Sequence, residues 1–377
     1  MKGLSLKKIE TGSVTNSSPF DWVVFLCVVI LVAFGVLTIY STSFSEQQIS
    51  SGLVQKQIIF ALLGLGAFLF VSRMDYKIFA QTAVILYIVT LTLLILTIVW
   101  GITTRGSTRW IDFGWIRVQP SEILKPVLIA LLAFYYSTRE RLQFRHFLVG
   151  LILAAIPAVL VFRQPDLGSA IVIMGIWFIM TLVSGFPYRY LLGLTTIGVL
   201  GLPFIFNLLK DYQKSRLTTF LNPKQDPLGS GYNIIQAIIA VGSGQLLGQG
   251  FGRGTQSHLN FLPEQHTDFI FATMAEELGF VGVVLMIGVF LVLIVKMLVI
   301  AKNSSDLFGM LLVVGIIGMI TLQLFINVGM NVGILPVTGI TLPFISFGGS
   351  SLVAMIVSVG VVEAVARARK HSVMEIK

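Results

Sequence analysis

Charge is scarce in this chain. Only 11% of its 377 residues are charged, against about a quarter in soluble domains, so an ordinary water-exposed surface is excluded. Cysteine is nearly absent. The single Cys27 rules out an internal disulfide and a cysteine metal cluster and leaves a packing role. No internal repeat, heptad array or low-complexity tract occurs, which excludes solenoids and long coiled coils. The two halves lack inverted symmetry, which disfavours one common transporter design. No basic run is dense enough to hold nucleic acid. The net charge of +9 is better explained by cationic loops against anionic lipid headgroups. The polar N-terminus is not followed by a short apolar segment with a small-residue cleavage site, so the first apolar run reads as an uncleaved anchor.

What is present is apolar. Hydrophobic residues make up 55% of the chain and the mean hydropathy is +0.91. The runs Leu26 to Tyr40 and Ile78 to Gly101 contain no charge. As helices, such runs cross a hydrocarbon layer about 30 Å thick. The expected fold class is all-α: a polytopic membrane protein with about ten transmembrane helices and one long extracytoplasmic loop. The spans fall near 20–42, 57–72, 77–100, 121–137, 147–162, 168–185, 189–209, 269–300, 307–330 and 345–366. Two long connections remain, 101–120 and 210–268.

Orientation follows from the basic residues. With the N-terminus inside, 15 of the 26 lysines and arginines fall on the inner side. Both termini then face the cytoplasm. Arg105, Arg109 and Arg117 break the bias by crowding an outer loop, which suggests an anionic ligand on that face.

Four stretches carry polar chemistry. In RGSTRWIDFGWIRVQPSEILKP, Pro120 and Glu122 suit a helix start. Glu122 and Lys125 are three apart and share a face. Two readings stand: an ion pair snorkelling to the interface, or Glu122 steadying Lys125 while Lys125 and Arg109 bind phosphate. In RQPDLGSAI, Asp166 sits where an N-cap belongs. Residues 210–268 are rich in Gly, Asn, Gln, Ser and Thr, and a long ordered loop of this kind is usually functional. Tyr232 to Val241 is mildly amphipathic and suits the outer interface. The loop GILPVTGITLPFISFGGSS (333–351) cannot be helical through its middle. At membrane depth such backbone must be buried in protein or line a cavity.

Within PEQHTDFIFATMAEE, length decides where the carboxylates stand. Phe269 to Ile300 is too long for one crossing, and Leu278 to Ile300 suffices alone. The bilayer is therefore expected to begin near Gly279, with Asp268 outside it or in a hydrated cavity. On a continuous helix Glu276 lies about 80° from Asp268 and Glu277 roughly opposite, which makes Glu276 the expected neighbour of the site.

QPSE at 119–122, QPDLG at 164–168, LPEQHTDFIFATMAEELGFVG at 262–282 and LPFISFGGSS at 342–351 resemble, in order and spacing, the SEDS family of shape, elongation, division and sporulation proteins (the RodA/FtsW/SpoVE group). The resemblance covers about residues 20 to 370. Thr341 and Phe347 stand where the family often has proline and tyrosine. Length and the short N-terminal tail resemble the elongation members more than the division members.

The resemblance implies a peptidoglycan glycosyltransferase of the bacterial inner membrane. It would polymerise lipid II into β-1,4 glycan strands at the outer face during cell elongation. Its expected partners are a class B penicillin-binding protein that cross-links the strands and other elongation-complex membrane proteins, with no nucleic acid. One membrane domain spans 20–366, including the outer loop 210–268, between cytoplasmic tails 1–19 and 367–377.

The family's essential aspartate corresponds to Asp268. The α-linked donor becomes β-linked, so the reaction inverts and needs a base on one side and a charge sink on the other. Asp268 is the expected base, and Arg109, Lys125 and Arg216 are candidates for the pyrophosphate. His266 and Thr267 flank Asp268 and complete the expected substrate-binding set. Glu122, Asp166 and Glu276 are expected to fix the cations. A divalent cation, magnesium or manganese, is compatible with the same task, and Asp268 as base or as metal ligand both stay open. A lipid II flippase and a division-type polymerase are the alternatives.

Overall fold

In a computed structural model of the chain, the described residues are 20–43, 51–104, 107–112, 114, 117–208, 214, 218–223, 230–258, 261–262 and 264–368. Helices occur at all ten expected span positions. They are α1 (Trp22–Thr42), α2 (Ser51–Val71), α3 (Lys77–Trp100), α4 (Pro120–Ser137), α5 (Phe144–Arg163), α6 (Leu167–Val183), α7 (Tyr188–Leu208), α10 (Ile270–Lys302), α11 (Leu307–Asn331) and α12 (Gly349–Arg367). Seven of them are long and apolar enough to cross a membrane. The long connection adds α8 (Ser230–Ser243) and the single turn α9 (Thr255–His258).

Helix ends follow local chemistry. Asp21 caps α1 by accepting from Val23 N at 3.1 Å, and Asp306 caps α11 by accepting from Gly309 N at 2.7 Å. The Tyr76 hydroxyl donates to Asp306 Oδ2 at 2.7 Å and so fastens the start of α3 to the start of α11. Burial, then this carboxylate, push the Tyr76 phenol above its ordinary pKa, so it stays a donor at neutral pH.

Burial separates centre from periphery. α11 and α12 are the most enclosed spans, and α4 and α6 pack on α11. Gly315 lets Ile129 and Met180 close in, since a Cβ there would lie 2.4 Å from one and 3.0 Å from the other. Leucines, isoleucines and valines along α2, α3 and the second part of α10 remain exposed, for example Leu62, Ile85 and Leu291. In a bilayer these faces meet acyl chains, where exposure costs nothing.

One connection is not all-helical. Residues 101–120 hold β1 (Ile102–Thr104), β2 (Ser107–Asp112) and β3 (Arg117–Val118), antiparallel in the order β1-β2-β3. Ile111 pairs with Val118 and Asp112 with Arg117. The sequence marks this stretch only as a long outer connection crowded with arginines.

α10 is two helices joined at Gly279, whose φ of 65° and ψ of −167° break the helix. The break falls where the excess length of this helix places the bilayer edge. Residues 245–250 fill it. Phe280 N donates to Gln245 O at 2.9 Å and Val281 N to Leu246 O at 3.1 Å. In return Gln249 N donates to Glu276 O at 2.9 Å and Gly250 N to Glu277 O at 3.1 Å. A broken helix at this depth needs its freed backbone groups satisfied by protein, and the glycine-rich segment supplies both donors and acceptors.

Candidate active site

Asp268 lies in a tight turn before α10, not on the helix. Thr267 N and Phe269 N both donate to Glu264 O, at 3.0 and 3.3 Å, and Glu264 takes a φ of 55°. The Thr267 hydroxyl donates to Glu264 Oε2 at 2.9 Å. The loop after α11 clasps this turn. Phe347 N donates to His266 O at 2.8 Å, and the Ser346 hydroxyl donates to Thr267 O at 2.7 Å. His266 Nδ1 lies 3.0 Å from the hydroxyl of Thr42 at the end of α1. Thr341, one of the two family departures, meets Ser351 hydroxyl to hydroxyl at 2.9 Å.

Two asparagines set the height of Asp268. The Nδ2 atoms of Asn327 and Asn331 donate to Asp268 O at 3.0 and 3.1 Å. Asn327 also reaches Ile340 O at 2.7 Å, and Asn331 Oδ1 accepts from Ala272 N at 3.3 Å. Both are fully buried and one turn apart on α11, hence on one face. Each amide is consumed by backbone of the 264–272 turn or the 338–340 loop, or by the other asparagine. Neither asparagine stands out in the sequence beyond being a polar residue in an apolar span. Their i, i+4 spacing in an apolar helix was the available signal.

The opposite wall comes from β2 and the start of α6. Arg109 donates to Gln164 O at 3.4 Å and to Pro165 O, and its Nη1 lies 3.8 Å from Asp166 Oδ1. Asp166 also caps α6 through Ser169 N at 3.1 Å and takes a bond from Gln119 Nε2 at 3.4 Å. Cap and arginine anchor are thus the same side chain. Gly168 lets α6 abut the loop, since a Cβ there would lie 2.8 Å from Thr338 O.

The two walls converge on Gly339, whose φ is 75°. A Cβ placed there would lie 3.5 Å from Asp268 Oδ2 and 3.8 Å from Arg109 Nη1. A carboxylate and a guanidinium therefore border one patch of bare backbone.

The remaining expected residues sit elsewhere. Lys125 Nζ donates to Glu122 Oε1 at 2.7 Å, and the two side chains are only 2% and 7% exposed. They do not snorkel to the interface, because the first turns of α4 are enclosed by protein. Lys125 is an interior ion pair and not an open cation, and Glu122 Oε2 has no hydrogen-bond partner among the described residues. Glu276 is fully buried and accepts from Gln256 N at 2.8 Å, Ser257 N at 3.1 Å and the Ser257 hydroxyl at 3.0 Å. The helical-wheel argument that put Glu276 beside Asp268 assumed a continuous helix; Asp268 precedes the helix, and Glu276 turns to α9. Glu277 accepts from the Ser41 hydroxyl at 2.6 Å, which in turn accepts from Gly252 N at 2.8 Å. Arg117 pairs with Asp112 at 3.2 Å. Arg105 and Arg216 lie outside the described residues.

Among the described residues no three His, Cys, Asp or Glu side chains cluster as metal ligands. Asp268 offers one hard carboxylate. A magnesium-like ion commonly takes one or two protein carboxylates and completes its shell with water and phosphate oxygens, so the residues present are compatible with such an ion.

A bundle of spanning helices with a carboxylate and an arginine bordering one loop glycine at one end defines a polytopic membrane protein with a polar site. Residues 21–371 match the model of the FtsW/RodA/SpoVE cell cycle proteins, and the chain belongs to that family. It is 37% identical over 370 residues to a probable peptidoglycan glycosyltransferase FtsW of Geobacter metallireducens, covering 95% of each chain. Against the peptidoglycan glycosyltransferase MrdB of Escherichia coli the identity is 36% over 354 residues, covering 93% of this chain and 94% of the other. Stage V sporulation protein E of Bacillus subtilis is 37% identical, covering 95% and 100%. Among solved structures, a chain of a peptidoglycan synthase complex coordinating polymerization and crosslinking superposes with a TM-score of 0.79 at 32% identity, covering 93% and 99%. The rod shape determining protein RodA of Thermus thermophilus gives 0.70 at 28% identity, covering 93% and 97%.

Proposed function

We propose that this protein is a peptidoglycan glycosyltransferase that polymerises lipid II into β-1,4 glycan at the outer face of the bacterial cytoplasmic membrane, with both termini inside. Asp268 takes the proton from the acceptor 4-hydroxyl as that oxygen attacks the donor's anomeric carbon. Arg109 receives the charge that develops on the departing pyrophosphate. The observation that carries this reading is the convergence of Asp268 Oδ2 and Arg109 Nη1 on the bare backbone at Gly339. Inversion needs a base and a charge sink on the two sides of the reacting carbon, and a carboxylate and a guanidinium bordering one patch of backbone support that reading.

The residues around them hold rather than react. Asp166 fixes Arg109, while Asn327 and Asn331 fix the Asp268 backbone. His266 and Thr267 shape the turn and present its outer edge to the sugar. Arg216 is a further pyrophosphate contact, while Lys125 stays in its buried pair with Glu122 and steadies the start of α4. A bound divalent cation would add Lewis-acid stabilisation of the pyrophosphate. The protein works in elongation, beside a class B penicillin-binding protein and the other membrane proteins of that complex. The synthase complex whose chain superposes on this one supports such a partnership.

A flippase would carry polar groups through the inner half of the bundle. The apolar runs hold few such groups, chiefly Gln323 and Asn327, and Asn327 is bound to the Asp268 turn and the Ile340 carbonyl. Purified protein supplied with its transpeptidase and lipid II decides: glycan product supports the polymerase, and translocated lipid without product supports the flippase.

A further inference from the structure

The end of the bundle away from Asp268 holds a second polar feature that the reaction does not use. α5 runs 20 residues, about 30 Å at 1.5 Å per residue, from this end to the Gln164 carbonyl that Arg109 touches. At its start, a cleft of about 260 Å³ opens between α4 and α5, lined by Tyr135, Arg139, Arg145, His146 and Val149.

Three features give the cleft a chemical character. First, its charge is positive. Arg139 and Arg145 border it, and Arg189 stands on the neighbouring α7, whose Tyr190 ring lies 5.2 Å from that of Phe144. Glu140 is the acidic residue in the same turn and is exposed. Arg139 lies over the Tyr135 ring at 4.8 Å, which orients the guanidinium.

Second, His146 is fixed. It is 7% exposed, and its Nδ1 accepts from Gln143 N at 3.0 Å. The neutral ring then carries its proton on Nε2 and is also hydrogen-bonded to the Arg141 backbone, so it is held from two sides.

Third, the cleft continues into a lipid-facing surface. Val149 lines it, and Leu148, Val149 and Ile152 on the same helix are exposed apolar side chains. Two cations at the end of a span, with an apolar strip leading away into the bilayer, match a phosphodiester headgroup with its acyl chains below.

We infer that this cleft binds the phosphate of an anionic phospholipid in the leaflet opposite the Asp268 site. By the orientation proposed above, that leaflet is the cytoplasmic one. The inference goes beyond the proposed activity and does not depend on it. The phosphate accepts from Arg139 and Arg145 beside the fixed His146 ring, and the chains lie along Val149 and Ile152.

Native mass spectrometry of the full-length protein tests this, with phosphatidylglycerol and phosphatidylcholine of identical chains as probes. Phosphatidylglycerol should bind preferentially. The Arg139→Ala/Arg145→Ala double variant should weaken it on the order of tenfold or more, since two cations near the headgroup are lost. Phosphatidylcholine binding should be unchanged. Arg139→Lys/Arg145→Lys should keep the preference, and an unchanged melting temperature of the alanine variant excludes misfolding as the cause. Equal binding of both lipids by wild type, or wild-type phosphatidylglycerol binding by the alanine variant, overturns the inference. Displacement of the lipid by inorganic phosphate at similar concentration would assign the cleft to free phosphate and overturn the lipid assignment. None of these readouts involves glycan synthesis, so failure here leaves the polymerase reading standing.

Discussion

Gly279→Ala tests how the outer loop is joined to the bundle. At φ 65° and ψ −167° the backbone occupies a region essentially reserved for glycine, and a side chain there costs on the order of 1–3 kcal/mol in strain. Space is closed as well. A Cβ would lie 2.7 Å from Leu246 O and closer still to Gly248 N, which are backbone atoms that cannot swing aside. The 245–250 segment must retreat, and its four exchanged hydrogen bonds with residues 276, 277, 280 and 281 are at risk. Each buried group left unpaired costs about 1–3 kcal/mol, so loss of only two brings the total to about 3 kcal/mol at the low end. That is a large part of a typical folding stability of about 5–15 kcal/mol. The assay is thermal unfolding in detergent beside Gly288→Ala, on the same helix, where nothing lies within 4 Å. Gly279→Ala should melt several degrees lower and Gly288→Ala should match wild type. If the two variants melt alike, the break is not held by the loop and the reasoning fails.

Three further outcomes follow from the same geometry. Asn327→Leu frees the carbonyls of Asp268 and Ile340 and should reduce glycan synthesis more than Asn327→Gln does, with the protein still folded; equal rates for the two variants would contradict the positioning role. Arg109→Ala should lower polymerisation on the order of 10²–10³-fold as a lost charge-stabilising contact, with Arg109→Lys intermediate, read as chain length and rate on lipid II. Glu276→Ala strands the donors of Gln256 and Ser257 and should cost about 1–3 kcal/mol of stability; an effect on rate alone would return Glu276 to the reaction.

The membrane helices were legible because each is a long apolar run bounded by polar residues. The span expected at 77–100 is observed at Lys77–Trp100. The excess length of the helix after Asp268 pointed to Gly279 as the bilayer edge, and the chain breaks there. The manner of the break was not legible, because glycine is common inside transmembrane helices and the loop that fills it lies 30 residues upstream. The small sheet was missed because its strands have 3, 6 and 2 residues, too short for an alternation to show. Asp268 and Asp166 stand out as charges just before helices, and Arg109 as one of the cations crowded into an outer loop. Asn331 and Asn327 share a helix face by their i, i+4 spacing, but that the face meets the Asp268 carbonyl follows only from the tertiary fold. Glu276 was misplaced because a wheel projection holds only within one continuous helix.

The central claim is that Asp268 is the group that makes glycan synthesis possible. Glycan formation from lipid II by purified wild-type and Asp268→Asn protein, each with its transpeptidase partner, tests it most directly. The substitution keeps the size of the side chain and leaves the backbone carbonyl on which Asn327 and Asn331 act. Loss of a general base should lower polymerisation on the order of 10²–10⁴-fold while the melting temperature stays put. Full polymerisation by Asp268→Asn would contradict the account.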